Sequence, residues 1–213
     1  MRTILLVLSF LSIVSLHAQD PHRFDEEIDS LKQLPKPKAE NLAVFTGSSS
    51  MRLWEGLAED CQQYTVVNTG FGGSQMSDLL YFLDELVLRY QANKVFIYEG
   101  DNDINADKRP DSILITTKQV VAKIHKAQPD TQIYLISAKP SLSRWSLKAQ
   151  YETFNDLLKN YSETDDRLTY IDVWDVMLNA NGRPEPSIFI ADSLHMNRLG
   201  YELWKKVICA TPK

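Results

Sequence analysis

Leu42-Ala-Val-Phe-Thr-Gly-Ser-Ser-Ser-Met-Arg-Leu-Trp54 sets how the rest of the chain reads. Residues 42–46 are a short continuous apolar run, the pattern of a strand buried on both faces of a sheet. Gly47 and three serines cut it off, and residues 51–60 then take up helical spacing. A buried strand, a tight polar turn and a helix open a parallel strand–helix–strand unit. The turn places serine hydroxyls at a helix N-terminus, where free amide N–H groups and the positive end of the helix dipole suit a developing anion. A serine in such a turn commonly does no more than cap its helix. Composition and spacing do not choose among Ser48, Ser49 and Ser50.

Downstream the alternation repeats. Strands are expected at residues 64–67, 94–98, 132–137 and 168–171. Apolar residues at helical spacing lie between them, around 76–90, 113–124, 151–161 and 199–207. Alternation with short connections predicts an α/β domain, a three-layer α/β/α sandwich around a five-stranded parallel sheet with right-handed crossovers. Sites in such sheets lie at the carboxyl ends of the strands, near the switch in strand order. The polar clusters at 47–50, 68–74 and 100–103 follow the first three strands directly, so they gather on one edge.

Upstream, Arg2 precedes an apolar run from Ile4 to Leu16 that ends at His17-Ala18. This is the pattern of a secretory signal peptide over residues 1–18, cut near Ala18. The run is short for a membrane span, so the expectation is an exported protein, periplasmic or secreted, with no stable membrane anchor after cleavage. Residues 19–41 read as an N-terminal leader, with Phe24, Ile28 and Leu31 at helical spacing and Pro35 and Pro37 breaking it; residues 42–213 are the domain. The 213-residue chain carries 23 basic against 28 acidic residues, and no basic stripe points to nucleic acid. Its 44% hydrophobic and 24% charged residues are those of a folded domain with a sizeable core.

A serine made nucleophilic needs a base, an orienter for that base and donors for the oxyanion. His22 lies in the leader, and His125 sits late in a helix between Lys123 and Lys126. His195 stands in Asp192-Ser-Leu-His195, where a short loop can hold the carboxylate against one ring nitrogen and turn the other toward a serine. Amides near Gly72-Gly73 and the side-chain amide of Asn102 are candidate oxyanion donors. Asp101, Asp103, Asn105 and Asp107 alternate like the start of a calcium loop, but Ala106 and Ser112 stand where glycine and glutamate are required. No zinc spacing, phosphate loop or dinucleotide fingerprint is present, so neither metal nor cofactor is implied.

Together these blocks resemble the SGNH/GDSL hydrolases: Gly47-Ser-Ser-Ser-Met-Arg-Leu-Trp54, Asn68-Thr-Gly-Phe-Gly-Gly-Ser74, Gly100-Asp-Asn-Asp103, and Asp192-Ser-Leu-His195 with Asn197 and Gly200 behind it. They come in the family's order across residues 44–204. The resemblance implies the flavodoxin-like SGNH hydrolase fold and a serine esterase or acylhydrolase working through an acyl-enzyme. It implies Ser49 as nucleophile, Asp192 and His195 as its partners, and Ser49, Gly73 and Asn102 as oxyanion donors. Ser48 stands where the name-giving motif has aspartate, which changes hydrogen bonding beside the nucleophile and removes no catalytic group. Arg52, Glu99, Arg144 and Trp145 are candidate contacts to a small-molecule ester, with Trp54 read as core. No long apolar lid is visible, which favours small acyl groups such as those of acetylated carbohydrates. A lysophospholipase- or thioesterase-like lipid acylhydrolase, or an inactive binding protein on the same fold, are the alternatives.

Two cysteines are too few to frame a fold. Cys61 follows the first helix and Cys209 ends the last. In a sheet whose order begins 2-1-3 these ends come close, away from the active edge, and an oxidising compartment would allow a bridge. Two thiols packed separately as small apolar residues is the favoured reading.

Overall fold

The computed structural model describes residues 20–210; the segment read as a signal peptide lies outside them. Five strands, β1 (Leu42–Gly47), β2 (Thr65–Asn68), β3 (Lys94–Tyr98), β4 (Gln132–Ile136) and β5 (Leu168–Ile171), form one parallel sheet in the order β2-β1-β3-β4-β5. The helices are α1 (Asp25–Leu31), α2 (Ser49–Arg52), α3 (Leu57–Asp60), α4 (Met76–Tyr81), α5 (Leu83–Leu86), α6 (Asp101–Asn105), α7 (Pro110–Ala127), α8 (Lys148–Ser162) and α9 (Arg198–Ile208). Every residue of β1 is buried, which is why it reads as an unbroken apolar run. Val44 pairs with Val67 on one side and Val95 on the other, and Gly47 pairs with Tyr98. The order reverses between β1 and β3, so the turns after Gly47 and Tyr98 open side by side.

Strand alternation divides the core into two layers. On one face Phe45, Phe96 and Tyr134 stack across neighbouring strands at centroid distances of 4.2 and 4.3 Å. That face is covered by α2, α3 and α9 through Met51, Leu57, Trp204 and Ile208. On the other, Val44, Val95 and Ile97 meet α1, α4, α5, α7 and α8. The leader is part of this second layer. Phe24 packs edge-on against Phe71 at 5.1 Å, Ile28 is buried, and Arg23 donates to the buried Asp78 at 2.5 Å.

The helix expected over 51–60 is two short helices. Trp54 falls between α2 and α3, buried against Tyr201 and Trp204, and its indole N–H donates to Asp60 at 2.8 Å. The expected long helix over 76–90 is likewise split into α4, α5 and a 3-10 turn over Leu88–Tyr90. Each piece still turns its apolar residues toward the sheet, so the periodicity survives the breaks. The polar cluster after β3 carries α6. Gly100 allows the turn that starts it: its φ is +105°, and a Cβ there would run into the ring of Phe154.

The reading of two separate thiols is overturned. Cys61 and Cys209 form a disulfide, with Cα atoms 5.0 Å apart. They end α3 and α9, which lie on the same face of the sheet. The bridge spans 148 residues, for which the chain-entropy model gives on the order of 5 kcal/mol.

Candidate active site

Ser49 is the first residue of α2, and Ser48 is its N-cap, although the Ser48 hydroxyl makes no capping bond. Ser48 and Ser50 are buried, whereas Ser49 is half-buried and opens onto a cleft. Ser49 Oγ lies 2.9 Å from His195 Nε2, and His195 Nδ1 lies 2.6 Å from Asp192 Oδ2. The base loop is built by its own carboxylate. Asp192 Oδ1 accepts the N–H groups of Leu194 and His195, each at 2.9 Å, around Ser193 at φ +60°. Partial burial pushes the Asp192 carboxyl up, but hydrogen bonds from the His195 ring and these two N–H groups outweigh it and bring it down to about 2. The carboxylate is therefore ionised wherever the protein is folded near neutral pH. Asn197 then caps α9, accepting from Leu199 and Gly200.

Ser49 and His195 come from chain segments 146 residues apart, and packing between α2–α3 and α9 sets their distance. The Tyr201 hydroxyl donates to the Ser50 carbonyl at 2.9 Å. Arg198 donates to both oxygens of Asp60, at 2.8 and 2.7 Å, and the disulfide lies next to this pair. Arg198 and the Trp54 indole hold the Asp60 carboxyl well below the usual range against the opposing effect of burial.

Ser49, Gly73 and Asn102 line the same cleft. Among the described residues no acceptor takes the Ser49 or Gly73 amide N–H. Gly73 has φ +78°, the left-handed conformation that glycine adopts without strain. Asn102, on the first turn of α6, donates through Nδ2 to the Ser74 carbonyl at 2.9 Å, leaving its second N–H for the cleft. Arg144 fixes the other end of this amide, its two terminal nitrogens each 3.1 Å from Asn102 Oδ1. Arg144 is held in turn by Asp101, at 2.5 Å.

Asp101 is a buried hub. It accepts from the Tyr98 and Tyr151 hydroxyls and from Arg144, with Lys139 Nζ at 3.6 Å. Burial raises the Asp101 carboxyl, but the charges of Lys139 and Arg144 prevail and set it at about 2. Lys139 is fully buried and also donates to the carbonyl of Leu194, the residue before His195, at 2.8 Å. Asn102 and the loop carrying His195 are thus tied to one buried ion cluster. Asp101 and Asp103 spend their oxygens on these partners, on Lys108 and on the Met76 amide, and the described residues hold no cluster of metal-ligand type.

Not all expected contacts face the cleft, an open space of about 500 Å³. Arg52 and Arg144 line it; Glu99 and Trp145 do not. Trp145 stacks on Trp174 at 5.9 Å, with Lys148 and Arg183 over its ring. His22 pairs with Asp25, and His125 contacts the Thr131 carbonyl at the other end of the sheet. Two residues missed in the sequence matter here. Lys139 carries no motif signal, and Glu27, which lines the cleft, comes from the leader helix.

Glu99 is buried, within 2.6 Å of Ser74 Oγ, while Ser74 Oγ is also 3.1 Å from the Phe71 carbonyl. One hydroxyl proton cannot serve both acceptors. A protonated Glu99 resolves this by donating to Ser74, which then donates to Phe71. Burial first, then the neighbouring charge of Asp103, pushes the Glu99 carboxyl well above its ordinary 4.5. Above that value the unfolded chain releases a proton that the folded protein keeps, so Glu99 makes stability fall as pH rises toward its folded pKa. Glu99→Gln keeps the shape without the titration and is expected to flatten that fall. Thermal melts of both proteins between about pH 5 and 8 check this, and parallel curves would refute it.

A family model described as GDSL-like lipase/acylhydrolase matches residues 41–203. The fold is that of the SGNH hydrolases. A GDSL-like lipase from Bacteroides thetaiotaomicron superimposes with a TM-score of 0.69 at 18% identity, covering 89% of this chain and 95% of that one. An acetylxylan esterase from Geobacillus stearothermophilus gives 0.66 at 15% identity, covering 81% and 94%. Among curated proteins none matches the sequence.

Proposed function

Because the chain belongs to the GDSL-like lipase/acylhydrolase family, we propose that it is a serine esterase that passes a small acyl group from a carboxylic ester to Ser49 and then to water. The observation that carries this is the unbroken row Asp192–His195–Ser49 opening on a cleft beside three free donors. His195 takes the Ser49 proton as Oγ adds to the ester carbonyl. The amides of Ser49 and Gly73 and the Asn102 side chain receive the oxyanion. The intermediate collapses as His195 returns the proton to the departing alkoxide, leaving an acyl group on Ser49. A water, deprotonated by His195, repeats the sequence and frees the acid and the serine.

The cleft favours small acyl groups. Leu194 is the only aliphatic side chain among the described residues that bound it, whereas a long acyl chain needs an apolar channel. Acetate esters, including acetylated sugars, suit the polar wall. Hydrolysis of 4-nitrophenyl esters of rising chain length by the purified protein tests this. Acetate is expected to be cleaved best, with kcat/KM falling steadily beyond about four carbons. A maximum at eight carbons or more would favour the lipid acylhydrolase instead. Asn102→Ala is expected to lower kcat by about 10² to 10³ at nearly constant KM, because this donor serves the transition state. A change confined to KM would make Asn102 a ground-state contact. We also propose export, which the Cys61–Cys209 bridge supports because disulfides persist in oxidising compartments.

A further inference from the structure

Of the charged side chains Glu27, Arg52 and Arg144 that line the cleft, Glu27 and Arg52 neither take part in a step above nor brace a residue that does. Glu27 belongs to α1, upstream of the residues 41–203 that the family model matches. Its Oε1 accepts the Gly72 N–H at 3.1 Å and lies 3.6 Å from Arg52 Nε. Arg52 lies along the Gly72 backbone, where a Cβ would stand 3.0 Å from Nε. Helix α1 is no loose arm, since Phe24, Ile28 and the Arg23–Asp78 ion pair fix it to the core. The other guanidinium of the cleft, Arg144, is committed to Asp101 and Asn102 and is only 13% exposed, against 46% for Arg52. Arg52 is thus the cation of this wall that can meet a substrate, and Glu27 is the charge that offsets it.

We infer that Glu27 and Arg52 form a charge filter: Glu27 masks Arg52 and keeps the site selective for neutral esters over esters that carry an anion. The inference rests on the esterase reading. It makes the leader segment a determinant of specificity. The physical reason is plain Coulomb balance. With both charges present, an anionic substrate gains little from Arg52 because Glu27 repels it at nearly the same distance. Removing one charge exposes the other.

The test uses two matched pairs of esters with the purified protein. One pair is 4-acetoxybenzoate and 4-acetoxybenzamide, with the anion on the alcohol part. The other is the monoanionic 4-nitrophenyl succinate and its methyl ester, with the anion on the acyl part, corrected for spontaneous hydrolysis. The readout is the ratio of kcat/KM, anionic over neutral. Glu27→Gln is expected to raise this ratio about three- to tenfold in at least one pair, and Arg52→Gln to lower it. The double variant is expected to return it toward the wild-type value. About 0.5 M NaCl is expected to shrink the Glu27→Gln effect, because the pair is partly exposed. An unchanged ratio in both pairs would overturn the filter. So would an equal loss on neutral and anionic esters, which would reduce Glu27 to a prop for the Gly72 peptide. A wild-type protein inert toward all four esters would instead overturn the esterase reading itself.

Discussion

Ser49→Ala is expected to lose about six orders of magnitude in turnover on an acetate ester while keeping its melting temperature. The size of the loss follows from the role: without Oγ there is no atom to carry the acyl group, and His195 has no proton to take. The fold has no stake in the hydroxyl, because Ser49 is only half-buried and its Oγ bonds to His195 alone. Its neighbours make the comparison sharp. Ser48 and Ser50 are buried, Ser48 engages the Tyr98 carbonyl through its amide, and Ser50 accepts Tyr201 through its own carbonyl. Those contacts are backbone, so Ser48→Ala and Ser50→Ala are expected to keep much of the turnover. Steady-state rates and thermal melts of the three variants decide it. A fully active Ser49→Ala protein would remove the nucleophile from the mechanism.

The strands were legible because parallel strands covered on both faces must be apolar along their whole length. Leu42 to Phe45 and Val95 to Tyr98 leave no other reading. The base loop was legible because Asp192 closes it within four residues, through bonds to Leu194 and His195. What depends on contacts between distant elements was not legible. The helical periodicity ran on through Trp54, and only the buried Trp54–Asp60–Arg198 cluster explains the break there. The topology brought the ends of the first and last helices near each other, but whether the two thiols come within bonding distance depends on how α3 and α9 pack on their shared face. Glu99 reads in the sequence as a candidate substrate contact, or as a carboxylate pointing away from the site, because it directly follows β3. Strand alternation, which sends Phe96 and Tyr98 to the α9 side and Val95 and Ile97 to the other, carries Glu99 inward toward Ser74 instead. Lys139 and Glu27 act through tertiary approach to Leu194 and Gly72, and no spacing in the chain announces either.

Asp192→Asn is expected to cost about 10⁴ in kcat and to leave the fold intact. The asparagine carbonyl can still accept the N–H groups of Leu194 and His195, so the loop closes as before. The side-chain NH₂ then faces His195 Nδ1, which must become an acceptor. The ring proton moves to Nε2, and the nitrogen facing Ser49 can no longer take a proton. The negative charge that steadies the imidazolium during attack is lost as well. His195→Ala removes the base altogether and is expected to match Ser49→Ala, and the double variant to be no worse than either, because the residues act as one unit. The pH profile separates orienter from base. Asp192 ionises at about 2, so it stays charged through the working range. A loss of wild-type activity on moderate acidification is therefore not loss of the orienting carboxylate. Rates of wild type and Asp192→Asn from about pH 5 to 8 test the argument. An Asp192→Asn protein within tenfold of wild type across that range would mean that Asp192 is not the orienter this geometry makes it, and a His195→Ala protein of comparable activity would remove His195 as the base.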